Sequence, residues 1–128
     1  MIQQQESPTV KISIDIKKYR IRIHKNMLHL LDDPPYVQLL INPESAEVAI
    51  RSVEKAVAKD QAHRVSKTQL KSDNCIEIYS KFFIQKLIEL VPKMNEGRCY
   101  HMSGTIIPSE KAAIFSFKTL TLFEEAED

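Results

Sequence analysis

The sequence predicts an α+β domain in which two helices pack on mainly antiparallel sheet, built as two similar strand–helix–hairpin halves. Two observations carry this. Two pairs of apolar, β-prone runs are each joined by a turn with proline in its second position, at Pro43 and again at Pro108. Ahead of each pair stands a strand of alternating apolar and polar residues, followed by an amphipathic stretch with helical spacing.

Length and charge bound the rest. A chain of 128 residues matches one domain, taken as 1–128, with 1–8 and 124–128 expected to be flexible ends. It can bury a core without disulfide or metal staples. No apolar run approaches membrane-spanning length, which argues against a transmembrane helix, and no membrane partner is expected. Residues Met1 to Pro8 lack the basic and apolar regions of a signal peptide, so a cytoplasmic location is expected. Residues 1–74 hold 12 Lys and Arg against 9 Asp and Glu, and residues 75–128 hold 6 against 8. Neither half has the basic excess of a strong nucleic-acid binder. Cys75 and Cys99 read as two buried thiols, since no paired Cys or His motif completes a metal site. No cofactor and no small-molecule substrate is implied.

Val10, Ile12, Ile14 and Ile16 alternate with polar residues and form a half-buried strand. The phase then shifts: Tyr19, Ile21 and Ile23 alternate with Arg20, Arg22 and His24. The flip at Lys17-Lys18 is either a bulge or a break between two strands. Asn26 to Asp32 is a short helix, with Met27, Leu28, Leu30 and Leu31 on one broad face, and Asp33-Pro34-Pro35 ends it. The first hairpin runs from Tyr36 to Ser52 about the turn Asn42-Pro43-Glu44-Ser45. Ser52 to Lys71 is the least patterned stretch: Glu54 to Asp60 reads as helix or charged loop, and Ala62 to Ser66 as a short strand, the preferred reading being loop plus strand. Cys75 to Tyr79 is a strand. Ser80 caps the best helix, Lys81 to Val91, which Pro92 stops. The second hairpin runs from Tyr100 to Phe117 about Ile107-Pro108-Ser109-Glu110, and Thr119 to Phe123 prolongs its last strand or adds another. The expected core is Ile12, Ile14, Ile21, Ile23, Leu28, Leu31, Leu39, Ile41, Val48, Ile50, Ile76, Ile78, Phe83, Leu87, Leu90, Phe115 and Phe117.

Sliding the chain on itself by 55 residues lays Ile21 to His24 over Ile76 to Tyr79. Sliding it by 65 lays the Pro43 turn over the Pro108 turn. Two stretches, Lys11-Ile12-Ser13-Ile14-Asp15 and Cys75 to Pro92, give the chain a pattern that resembles one domain of a DNA sliding clamp, a duplicated β-α-β-β-β motif. The resemblance covers most of the chain as architecture and rests on no diagnostic motif. It implies a non-enzymatic, DNA-associated module acting as an oligomer, because a clamp ring needs several such domains. It further implies that exposed helix residues, Lys25 and His29 on the first helix and Lys81, Gln85 and Lys86 on the second, face a duplex backbone. A plain solvated helix face of mixed charge gives the same pattern, with Asp32 and Glu89 diluting the cations.

Phe82 is a large apolar residue on the polar side of the second helix, either folded back at the helix start or covered by a partner, as an oligomer contact would do. The competing expectation is a small regulatory or protein-interaction domain, such as a dimeric β-hairpin transcriptional regulator with no clamp role. Enzyme signals are weak: two glycines leave no phosphate-cradling loop, there is no Gly-x-Ser-x-Gly elbow, and His24, His29, His63 and His101 are scattered.

Overall fold

A computed structural model describes residues 9–55 and 62–123. The chain begins with β1 (Thr9–Asp15) and β2 (Arg20–His24), followed by α1 (Lys25–Leu30). Strands β3 (Tyr36–Asn42) and β4 (Glu47–Val53) form the first hairpin. Then come β5 (Ala62–Arg64), α2 (Lys67–Asp73), β6 (Cys75–Tyr79) and α3 (Lys81–Leu90). The second hairpin is β7 (Cys99–Ile107) with β8 (Ala112–Ser116), and β9 (Thr121–Leu122) ends the described chain. All strand pairs are antiparallel, in the order β5-β3-β4-β8-β7-β1-β2-β6, with β9 beside β7. The sheet curls until it is nearly closed, and its two path ends are β5 and β6.

Local sequence explains each join. The phase flip at Lys17-Lys18 is a break: β1 and β2 are separate strands of one hairpin, pairing Ile12 with Ile23 and Ile14 with Ile21. Tyr19 takes a left-handed φ of 52° to make the turn, and the Lys18 amide donates to Asp15 Oδ1 at 3.2 Å. In the first hairpin Asn42 Oδ1 accepts the amides of Glu44 and Ser45 at 3.0 and 3.2 Å, an Asx turn that starts the loop. The four-residue loop closes on Ala46 at φ 56°, so β4 begins at Glu47, one residue later than the sequence pattern suggests. The second hairpin repeats the device with Pro108 first and Lys111 last, at φ 50°.

Alternating inward residues make the core. Val10, Ile12, Ile14, Ile21, Ile23, Ile76 and Ile78 meet Val37, Leu39, Val48, Ile50 and Phe115 across the sheet interior. Gly104 on β7 lies opposite Phe115 on β8, and a Cβ there would strike the Phe115 ring and the Ile114 carbonyl. Helix α1 contributes Met27 and Leu28, with Leu31 just beyond it; α3 contributes Phe83, Ile84 and Leu87. Three core assignments and one helix-face assignment need correction. Leu90 is 36% exposed, because it is the last residue of α3 and lies on the open groove beside Leu40 and Pro43. Ile41 and Phe117 are only half-buried, lying where strands run out into turns. Leu30 does not share the buried face of α1 and is exposed.

The described residues contain three α-helices where two were expected. The missed one, α2, is capped by Ser66, whose Oγ accepts the Gln69 amide at 3.1 Å, and ends at Asn74 in the left-handed conformation. None of its residues is fully buried, so no strong apolar stripe advertises it. The expected strand at Ala62–Ser66 is present as β5, while the part of the Glu54–Asp60 stretch from residue 56 on lies outside the described residues.

α2 packs along β6, the strand that faces the opening. Gln69 Oε1 accepts the Glu77 amide at 3.0 Å, supplying the hydrogen bond that a neighbouring strand would otherwise provide. Replacing Gln69 with Ala should therefore cost about 0.5–1.5 kcal/mol in urea unfolding and speed hydrogen exchange at the Glu77 amide. Unchanged Glu77 protection would show that the edge is satisfied another way. Leu87→Ala, which empties a site only 1% exposed, should cost about 2–5 kcal/mol.

Candidate interaction surface on α3

The outward side of α3 follows from how the helix is pinned. Ser80 is its N-cap: the Ser80 Oγ accepts the Phe83 amide at 3.2 Å, and the Ser80 amide donates to the Tyr19 carbonyl at 2.9 Å, tying the helix start to the β1–β2 turn. At the other end Pro92 opens a 3-10 turn, Pro92–Glu96, that carries Met94 into the core. With Phe83, Ile84 and Leu87 facing inward, the 100° step between residues leaves Lys81, Phe82, Gln85, Lys86 and Glu89 outside.

A groove runs between α3 and the end of the first hairpin. It encloses about 290 Å³ and is lined chiefly by Leu40, Ile41, Pro43, Phe82, Lys86 and Leu90. Three of these are large apolar side chains open to solvent: Phe82 at 65%, Leu40 at 37% and Leu90 at 36%. Its ionisable groups, Lys86 and Glu89, form an ion pair at 3.7 Å on the rim. On the other flank of α3 a wider hollow of about 600 Å³ lies between Gln85, Ile88 and Glu89 and the β1–β2 turn at Ile16 to Tyr19.

The structure separates the residues singled out from the sequence. Lys81, Phe82, Gln85 and Lys86 share the exposed side of α3, where the Lys81 ammonium sits 5.7 Å from the centre of the Tyr19 ring, a cation–π distance. Lys25 and His29 lie on α1 instead. Lys25 is half-buried, its amide donating to the Asn74 carbonyl at 2.9 Å, and His29 is 2.6 Å from Asp33. The end of α1 is held to the far end of the first hairpin by Ser52, whose hydroxyl donates to the Leu31 carbonyl, and to the turn of the second hairpin by the Lys111–Asp32 ion pair. Ser52 pairs with Val37, and the groove meets the same strand at Leu40 and Ile41. Three to four residues of strand, about 10–13 Å, therefore lie between the Ser52 contact to the end of α1 and the groove beside α3.

Leu40, Pro43 and Leu90 were not singled out. For Leu40 a signal existed: Leu39-Leu40-Ile41 is a continuous apolar run, and a strand cannot turn consecutive residues to the same face.

The arginines on β2 are engaged elsewhere. Registry places Asp15 opposite Arg20 and Arg22 opposite Glu77. Asp15, buried at 5%, pairs with Arg20 at 3.3 Å and Arg98 at 3.5 Å. Glu77 pairs with Arg22 and with Arg20, and accepts from the Tyr79 hydroxyl at 3.2 Å. Arg51 donates to Gln38 at 2.6 Å. The cysteines are half-buried, not fully buried, and not disulfide-bonded; they stand on β6 and β7 with β1 and β2 between them. Burial raises the Cys75 thiol pKa, which works against thiolate chemistry there. His101 stacks on Phe123 with ring centres 4.5 Å apart. Burial lowers its pKa, as it does that of His63, whose Nε2 is buried without a hydrogen-bond partner among the described residues.

The hydrogen bond from Arg22 holds the Glu77 carboxyl below its usual pKa, against the opposing effect of burial. A depressed folded-state pKa gives stability that is present above the unfolded value, about 4.3, and lost as pH falls through the folded one. At pH 7 Glu77→Gln should be less stable than the parent by roughly 0.2–1 kcal/mol, since Arg22 is largely exposed. The gap should close below about pH 4. Urea unfolding of both proteins at pH 7 and at pH 3 measures it, and an equal gap at both would contradict the assignment.

Comparison with protein-family models, with curated proteins and with solved structures finds no match to this chain.

Proposed function

We propose that this protein is a non-enzymatic binding module that self-associates through the exposed side of α3 and the adjoining groove. The observation that carries the proposal is the cluster of Phe82, Leu40 and Leu90 around that groove, three solvent-open apolar side chains on elements pinned from below. A contiguous apolar patch rimmed by charge is what a protein interface covers. Binding fits the lining better than chemistry does, because its two ionisable groups are spent on each other.

The module reads as a duplication. Within each hairpin a four-residue loop joins strands in matching register: Asn42 pairs with Glu47, and 65 residues later Ile107 pairs with Ala112. If β1, β2, α1, β3 and β4 correspond to β5, β6, α3, β7 and β8, each observed pairing among these eight strands has its counterpart except β1–β2. Its counterpart would be β5–β6, the position where α2 intervenes. This supports the two-halves architecture on which the sliding-clamp resemblance rests. In that version of the proposal self-association runs through a surface other than α3 and supplies the domains that one chain lacks, leaving Lys81, Gln85 and Lys86 to face DNA. The α3 groove favours protein as the first ligand, since an apolar surface gains nothing from a phosphate backbone.

Sedimentation equilibrium over a concentration series tests the proposal. The parent should associate reversibly, and Phe82→Ser should remain monomeric with an unchanged circular dichroism spectrum, because Phe82 contributes little to the core. A parent that stays monomeric to millimolar concentration would overturn self-association. If that monomer instead shifts duplex DNA with steep salt dependence, lost in Lys81→Glu/Lys86→Glu, the ligand is DNA.

A further inference from the structure

We infer that two copies of this chain pair α3 against α3, antiparallel, about a twofold axis that passes close to Lys86. The inference rests on the self-association proposed above and specifies its geometry. Phe82, Lys86 and Leu90 are spaced i, i+4 and i+8, so they form one stripe along the exposed side of the helix. The stripe is close to palindromic: an apolar side chain lies about 6 Å along the axis on either side of Lys86. A twofold axis at Lys86 makes the contact isologous, each surface meeting its own copy. Phe82 then lies over Leu90 of the second copy, and Leu90 over Phe82 of the second copy. A parallel arrangement would instead stack Phe82 on Phe82 and Leu90 on Leu90, and would set the two helix dipoles side by side in the same direction.

Charge supports the same geometry. Glu89 lies within one turn of Lys86 and beside the stripe. Within one chain the pair is loose, at 3.7 Å between partly exposed groups. In the antiparallel pair each Lys86 also comes within reach of Glu89 of the second copy. Two symmetric cross-contacts result, and the like charges at the axis are answered. The groove completes the fit. Leu40 and Pro43 leave an apolar recess beside Leu90 that is open to a side chain arriving from outside. An aromatic anchor entering a partner's recess is the usual centre of an interface.

The rigid setting matters here. Ser80 fixes the start of α3 against Tyr19, Pro92 fixes its end, and Phe83, Ile84 and Leu87 hold its inner face. The stripe is therefore presented in one orientation, and little ordering entropy is lost on pairing.

Charge reversal in the full-length chain tests the geometry. Lys86→Glu sets two carboxylates against two carboxylates across the axis, and Glu89→Lys sets cations against cations. Each single variant should dimerise roughly tenfold more weakly than the parent, a loss of about 1.4 kcal/mol over two symmetric surface contacts. The double variant Lys86→Glu/Glu89→Lys should recover most of the parent affinity. An equimolar mixture of the two single variants should form a heterodimer tighter than either variant alone, because every cross-contact is then between opposite charges. Sedimentation equilibrium reads the affinities, and thermal melts of the dilute proteins check that each monomer remains folded. Recovery in the double variant and in the mixture supports the antiparallel pair. A dimeric parent whose variants show neither recovery overturns this geometry and leaves self-association standing. A parent that never associates overturns self-association itself.

Discussion

Backbone hydrogen bonding at the two ends of the sheet is the constraint on which the rest of this structure depends. Eight strands wrap almost into a closed surface, which buries one row of isoleucines, valines and leucines from each long strand. Closure is incomplete between β5 and β6, and an unpaired strand edge there would expose polar backbone beside the core. Helix α2 is set into that gap, and the Gln69 amide takes the place of a strand carbonyl opposite the Glu77 N–H. The outer surface of the same strand carries Glu77 itself, paired with the arginines of β2. One short strand is thus held from the edge by a side-chain hydrogen bond and from outside by ion pairs, while Ile76 and Ile78 anchor it within.

β6 leads directly into α3, so the fixity of the strand is passed to the helix. Ser80 joins the two and binds the Tyr19 carbonyl in the turn between β1 and β2. The inner face of α3 is committed to the core, and its outer face has no comparable covering from the described chain. Phe82 stands open there because the helix phase needed to bury Phe83, Ile84 and Leu87 leaves it on the far side. Its ring leaves apolar surface in water where a polar residue would be solvated without that cost. That is the physical reason to look for its partner outside the monomer.

Cationic residues on the two main helices have different settings. α3 carries Lys81 over an aromatic ring and Lys86 in an ion pair, on a helix lying beside the tip of the first hairpin. α1 is tied to the opposite end of that hairpin through Ser52, and to the turn of the second hairpin through Lys111. Residues equally legible as helix-surface groups therefore lie on two different helices, each with its own anchoring.

The alternation of Val10 to Ile14, Ile21 to Ile23 and Ile76 to Ile78, the proline turns at 43 and 108, and the Ser80 cap are local signals, written in side chains within a few residues of the feature they specify. The sequence by itself therefore determined the strands, the hairpins, α1, α3 and most of the core, and it marked Phe82 as a residue on the wrong face. Only the tertiary structure decided that the strands share one nearly closed sheet, because pairing partners such as β4 with β8 lie far apart in the chain. It alone revealed α2, whose role is to satisfy a backbone group on another element and not to bury an apolar stripe. It likewise decided that Leu90 and Leu40 face outward together across a groove. Periodicity places a residue on a face of its own element, but which faces remain uncovered depends on what packs beside them.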